Sequence, residues 1–234
     1  MTVLDTPITS IRFRPVVLDL YRGIHKGIRS ELFAVVGEAG RVDPSDTSGL
    51  AALAGQVQSV AHFLDHHATT EDQHIGPVLE EQVPDIAERI AADHESFDRR
   101  VGGLCSLAEE VRSVTGPRGD AVHELYIELA SFTGTYLLHQ DFEERVINPT
   151  LEDTIGVAEM VRIQESVIAT MEPQELMLGL AAMLPAMNID DRAGMLGGMH
   201  ANAPEPVFAA IWSLAGSVLA PFDHQAVAQR LGIG

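Results

Sequence analysis

Before Pro149, apolar residues recur at three- and four-residue intervals, which predicts amphipathic helices and leaves no alternating pattern for strands. One stretch runs from 15 to 37 through Leu18, Tyr21, Ile28, Leu32 and Val35, and a Gly/Asp/Ser-rich loop follows it. A second runs from 48 to 81 through Leu50, Leu53, Val57, Val60, Leu64 and Val78. Pro84 interrupts that stretch or opens a third, whose stripe is Ile90, Phe97, Val101, Leu104 and Val111. After the breakers Gly116, Pro117 and Gly119 comes a fourth, from 120 to 148, carrying Val122, Leu125, Leu129, Phe132, Tyr136 and Val146. Pro149 is expected to end it. Four long helices with short links predict an all-α fold, an antiparallel four-helix bundle.

Beyond this point the pattern changes. Seven of the eight methionines lie after residue 155, and Pro173, Pro185, Pro204, Pro206 and Pro221 cut the segment into short helices. The division expected is therefore a bundle over 1–152, with a loose lead-in over 1–14, and a Met-rich helical extension over 153–234. The extension either covers the bundle, or a second copy in a homodimer, or forms a lid over a substrate site.

The polar residues that interrupt the apolar seams carry the chemistry. Continued at helical spacing, the first seam meets His25, the second His67, Glu71 and His74, the third His94, and the fourth His139 and Glu143. A carboxylate buried without a partner costs several kcal/mol, so inward acids beside inward imidazoles point to a bound cation. His67 and Glu71, and His139 and Glu143, stand one turn apart, so each pair reaches one centre from one helix face. Nitrogen and carboxylate donors without thiolate suit iron or manganese, as in carboxylate-bridged two-metal bundles. Asp98 and Glu144 are reserve ligands, and His62, His66, His123, His200 and His224 fall off the seams.

Charge and composition exclude several alternatives. Fifteen Lys+Arg against 34 Asp+Glu give a net charge of −19, which repels nucleic-acid phosphates and anionic membrane surfaces. Cys105 is the sole cysteine, so no internal disulfide forms, consistent with a cytoplasmic setting. No apolar run approaches the roughly 18 residues of a membrane span, and the opening MTVLDTP lacks the features of a signal peptide.

His25, then HHATTEDQH (66–74), DHESFD (93–98) and HQDFEERVINP (139–149) resemble the hemerythrin/HHE cation-binding family over about residues 15–150. The resemblance implies a hemerythrin-like bundle with a non-haem di-iron site, two Fe ions ahead of Mn or Zn, bridged by glutamates and ended by histidines. It implies a small oxidant as partner: O2, peroxide or NO. The oxygen carriers of that family have HxxxH on the third helix and HxxxxD on the fourth. Here Asp98 stands four residues after His94, and Glu143 and Glu144 follow His139. The ligand set is then richer in carboxylate, or His74 supplies the missing imidazole. Extra carboxylate also suits a di-iron oxidase, oxygenase or peroxide-consuming oxidoreductase acting on a small organic substrate, with the C-terminal helices shaping its pocket. Metal storage or a metal-dependent interaction module is the third reading.

Overall fold

The computed structural model describes residues 12–113 and 116–233. The expected lead-in and the turn before the fourth seam lie partly outside them. The described residues are helical, with no strand among them. They fall into two compact units.

The first unit holds Glu31–Ala169 and the segment before Arg22. It takes the second half of α1 (Arg22–Ala39), then α2 (Thr47–His74), α3 (Gly76–Gln82), α4 (Pro84–Ser113) and α5 (Gly119–Phe142). Leu32 of α1, Val57, Val60 and Leu64 of α2, Leu104 of α4 and Leu129 and Phe132 of α5 face one apolar interior, the core of the helical bundle. Asp46 starts α2 by accepting from the backbone N–H groups of Ser48 and Gly49, both at 3.0 Å.

Three boundaries differ from those the pattern predicts. The second stretch is two helices, because Pro77 has no N–H to continue the ladder; α2 stops at His74, and α3 begins after Ile75. Pro84 opens α4 instead of interrupting a helix. Pro149 does not end the fourth stretch. A π-helical turn, Glu143–Ile147, follows α5, with the Asn148 N–H donating to the Glu143 carbonyl, and the helix resumes as α6 (Asn148–Thr154). The wider turn moves the Arg145 carbonyl away from the proline ring that would crowd it.

Residues 12–21 are tied down rather than loose. The Asn148 amide donates to the Leu18 carbonyl at 3.1 Å and its oxygen accepts from the Leu20 N–H at 3.2 Å. Arg14 donates to the Pro149 carbonyl at 2.8 Å. The unit also runs past the boundary expected at 152. Met160 and Ile163 of α7 (Gly156–Thr170) are buried with Tyr21, Leu79, Ile90, Phe142 and Leu151 in one cluster, so α7 belongs to this core.

The second unit holds Arg22–Ser30 of α1 with α8 (Pro173–Ala186), α9 (Ile189–Asn202), α10 (Glu205–Val218) and α11 (Pro221–Leu231). Proline in the first turn of α8, α10 and α11 sets these short helices. Leu180, Leu184, Leu196, Ile211, Ala215 and Val227 form their core, with Met177, Met183, Met195 and Met199 packed around it. Buried Arg192 donates to the Leu184 and Pro185 carbonyls at 2.7 and 3.1 Å and pairs with Asp223 at 2.7 Å, so α8, α9 and α11 are joined through one guanidinium. Gly27 permits the close approach of α1 to α8, since a Cβ there would sit 3.3 Å from the Met183 backbone. Among the described residues no single helix is long and apolar enough to cross a membrane.

Candidate metal centre

Glu71 near the end of α2, His94 in the middle of α4, His139 near the end of α5 and Glu143 at the start of the π turn converge in the first unit. Each offers a donor atom within 4.8 Å of the others. His67 also offers an atom within 4.8 Å of Glu71 and Glu143, so the two glutamates belong to both sets of donors. The i,i+4 spacing produces the two pairings expected: His67 Nε2 lies 3.6 Å from Glu71 Oε1, and His139 Nε2 lies 3.0 Å from Glu143 Oε1. His94 Nε2 bridges between helices, 3.3 Å from Glu71 Oε2.

Burial is nearly complete, with Glu71 6 % and Glu143 1 % exposed. Two carboxylates this deep would destabilise the fold by several kcal/mol each without compensation. The imidazoles answer part of that charge. Burial disfavours the His139 imidazolium, yet Glu143, with Asp93 and Glu71, outweighs it and pushes the group up to about 10. Burial also works against His94, but Glu71, aided by Asp72, raises it above its usual value. Burial, followed by the charges of Glu71 and Glu143, holds the phenols of Tyr21 and Tyr136 well above theirs. Buried nitrogen and oxygen donors drawn from three helices, with acids shared between two sets, fit a cation: a metal would replace those protons as the counter-charge.

Two residues the seams do not mark complete the arrangement. His94 Nδ1 donates to Asp72 Oδ1 at 2.8 Å, and His139 Nδ1 to Asp93 Oδ2 at 3.4 Å. Each carboxylate fixes the outer nitrogen, leaving Nε2 as the donor that faces Glu71 or Glu143, the arrangement typical of ligating histidines. Their one signal in the sequence is adjacency: Asp72 follows Glu71 and Asp93 precedes His94. Phe97 packs edge-on against His139 with ring centroids 5.1 Å apart, and Tyr136 and Phe132 extend this aromatic wall.

The remaining expected ligands lie as follows. His25 is fully buried on α1, in the stretch Arg22–Ser30 that packs with the C-terminal helices. His74, half-buried at the last residue of α2, lies 3.2 Å from Ser166 Oγ and falls in neither donor set, because the helix ends before its seam continues. Asp98 and Glu144 fall in neither set as well.

Comparison with known proteins agrees with this centre. The family model described as Hemerythrin HHE cation binding domain matches residues 16–172, which takes in α1 to α7 and every donor above. No curated protein and no solved structure gives a significant match. With its helical bundle and buried His/Glu centre, the chain belongs to the hemerythrin HHE cation-binding family.

Proposed function

We propose that the chain is a non-haem di-iron protein that binds or senses a small oxidant: O2, peroxide or NO. The observation that carries this reading is the membership of Glu71 and Glu143 in both donor sets, which suits two carboxylates bridging a pair of ions. His67 would hold one ion, and His94 and His139 the other. His25 is proposed as a further ligand from its complete burial and its place in the family pattern. Iron over manganese or zinc rests on the mixed imidazole–carboxylate set and on the family resemblance.

When bound, such a pair supplies redox chemistry toward dioxygen and its relatives. The protein's own part is to orient and shelter it. Asp72 and Asp93 hold two imidazoles in the ligating tautomer, and Phe97, Phe132 and Tyr136 keep water from one side. A second reading, a di-iron oxidase with an organic substrate, is favoured by a cavity of about 470 Å³ that reaches His94. Its lining comes from α2 to α5, with no residue from α7 to α11, so the C-terminal helices do not shape this pocket.

Metal analysis of the purified protein, followed by an anaerobic-to-aerobic absorption spectrum, tests the proposal. Two irons per chain and an oxidant-dependent near-ultraviolet band support it. Zinc alone at full occupancy overturns it.

A further inference from the structure

The cavity between α2, α3 and α4 has a composition that the metal centre does not require. Ala68, Gly76, Ala87 and Ala91 leave the space, and buried Leu64, Leu79, Ile90 and Phe97 form an apolar floor. Its rim is carboxylate: Asp65, Asp72, Glu80, Glu95 and Asp98, with no lysine or arginine in the lining. Asp72 is engaged by His94 and Glu95 by Arg99. Among the described residues Asp65, Glu80 and Asp98 form no ion pair.

An acidic rim alone is an ordinary solvated surface. Here it surrounds a cavity that ends at Tyr136, a side chain 3 % exposed whose phenol has no hydrogen-bond partner among the described residues. A buried hydroxyl left in that state costs free energy that a ligand's polar group recovers. Tyr136 and Phe97, 4.9 Å apart, also offer ring faces at the same end.

We propose that this cavity binds a small amphipathic amine in its ammonium form. The charge sits among Asp65, Glu80 and Asp98, the apolar body lies along Leu64, Leu79, Ile90 and Phe97, and a hydrogen-bonding group at the far end meets Tyr136. The size suits a small molecule, since ligand pockets run from about 300 to 1,000 Å³. A metal ion travelling to the centre would use the acids but neither the apolar floor nor the volume. The inference deepens the substrate side of the proposed function, and its test does not depend on which metal is bound.

The full-length protein, as purified, is titrated calorimetrically with tyramine, phenethylamine, phenethyl alcohol and 3-phenylpropionate, and metal content is measured in parallel. The amines are expected to bind about tenfold more tightly than the alcohol, and the carboxylate not at all. Tyramine should exceed phenethylamine by about fivefold, an advantage lost in Tyr136→Phe. Asp65→Asn with Asp98→Asn should bring the amines to the level of the alcohol with metal content unchanged. Ala91→Leu should abolish binding of all four probes. The proposal is overturned if the carboxylate binds as well as the amines, or if metal content is normal and no amine binds. It is equally overturned if the double variant slows Mn2+ uptake while amine binding stays intact, which would make the rim an ion route. Amine binding by protein that takes up no metal would uphold this inference and sink the di-iron reading.

Discussion

Replacing the carboxylates behind the ligating imidazoles tests the metal centre without touching a donor. Outer partners of this kind contribute about 10- to 100-fold in metal affinity, and a factor of ten is about 1.4 kcal/mol. The two contacts differ in ways that rank them. Asp72 meets His94 at 2.8 Å but is 57 % exposed, so solvent screens its charge. Asp93 is less exposed, at 36 %, but its 3.4 Å contact with His139 lies beyond ordinary hydrogen-bond length. Hydrogen-bond geometry falls off more steeply than screening, so Asp72→Ala should weaken binding about tenfold and Asp93→Ala about threefold. Asp72→Asn should lose less than Asp72→Ala, because the amide oxygen still accepts from Nδ1. The assay is anaerobic titration of metal-free protein with Fe2+ against a competing chelator. Asp98→Asn is the control, an exposed acid one turn past His94 that removes the same charge without touching a donor imidazole. Equal losses at Asp98 and Asp72 would show that net charge alone is at work. No loss at Asp72 and Asp93 together would mean that these imidazoles serve no cation.

Three other outcomes follow from the same coordinates. Glu71→Ala or Glu143→Ala should lower metal content to one ion or none, while His74→Ala, which removes a group outside both donor sets, leaves it unchanged by elemental analysis. In metal-free protein His139 titrates near 10, above its usual 6.5, so its contribution to stability is complete below 6.5 and disappears as pH rises through about 10. Denaturant melts of metal-free protein should show that decline, and metal uptake at neutral pH should release a proton measurable by pH-stat. Met160→Ala should cost about 2–5 kcal/mol in chemical denaturation, because the side chain fills the core of the first unit; a loss under 1 kcal/mol, roughly that of a surface site, would detach α7 from that core.

The bundle and its inner donors were legible because one rule, helical periodicity, governs both. His67, Glu71, His139 and Glu143 interrupt apolar stripes at a spacing that only a helix brings together. His94 is caught by the same rule. Asp72 and Asp93 are not, because each stands off its own seam and acts on the imidazole of a neighbouring helix, which depends on the relative height of two helices. His74 shows the rule failing in the other direction. The seam places it inward, but Pro77 stops α2 at that residue, and the periodicity has no turn left in which to apply. The membership of α7 in the first unit was hidden for a different reason: Met160 and Ile163 are apolar residues like those of the C-terminal helices, and composition does not say which core they fill.

The π turn at Glu143–Ile147 alters how changes in chain length act near the centre. It takes one more residue than the same rise of α-helix, so removing a single residue between 144 and 147 would let α5 run into α6 as an unbroken α spiral. Everything downstream would swing by about 100° around the axis, carrying Asn148 away from the backbone of Leu18 and Leu20 that it now secures. One codon lost here would disturb the floor beneath the metal ligands while leaving all of them in the sequence.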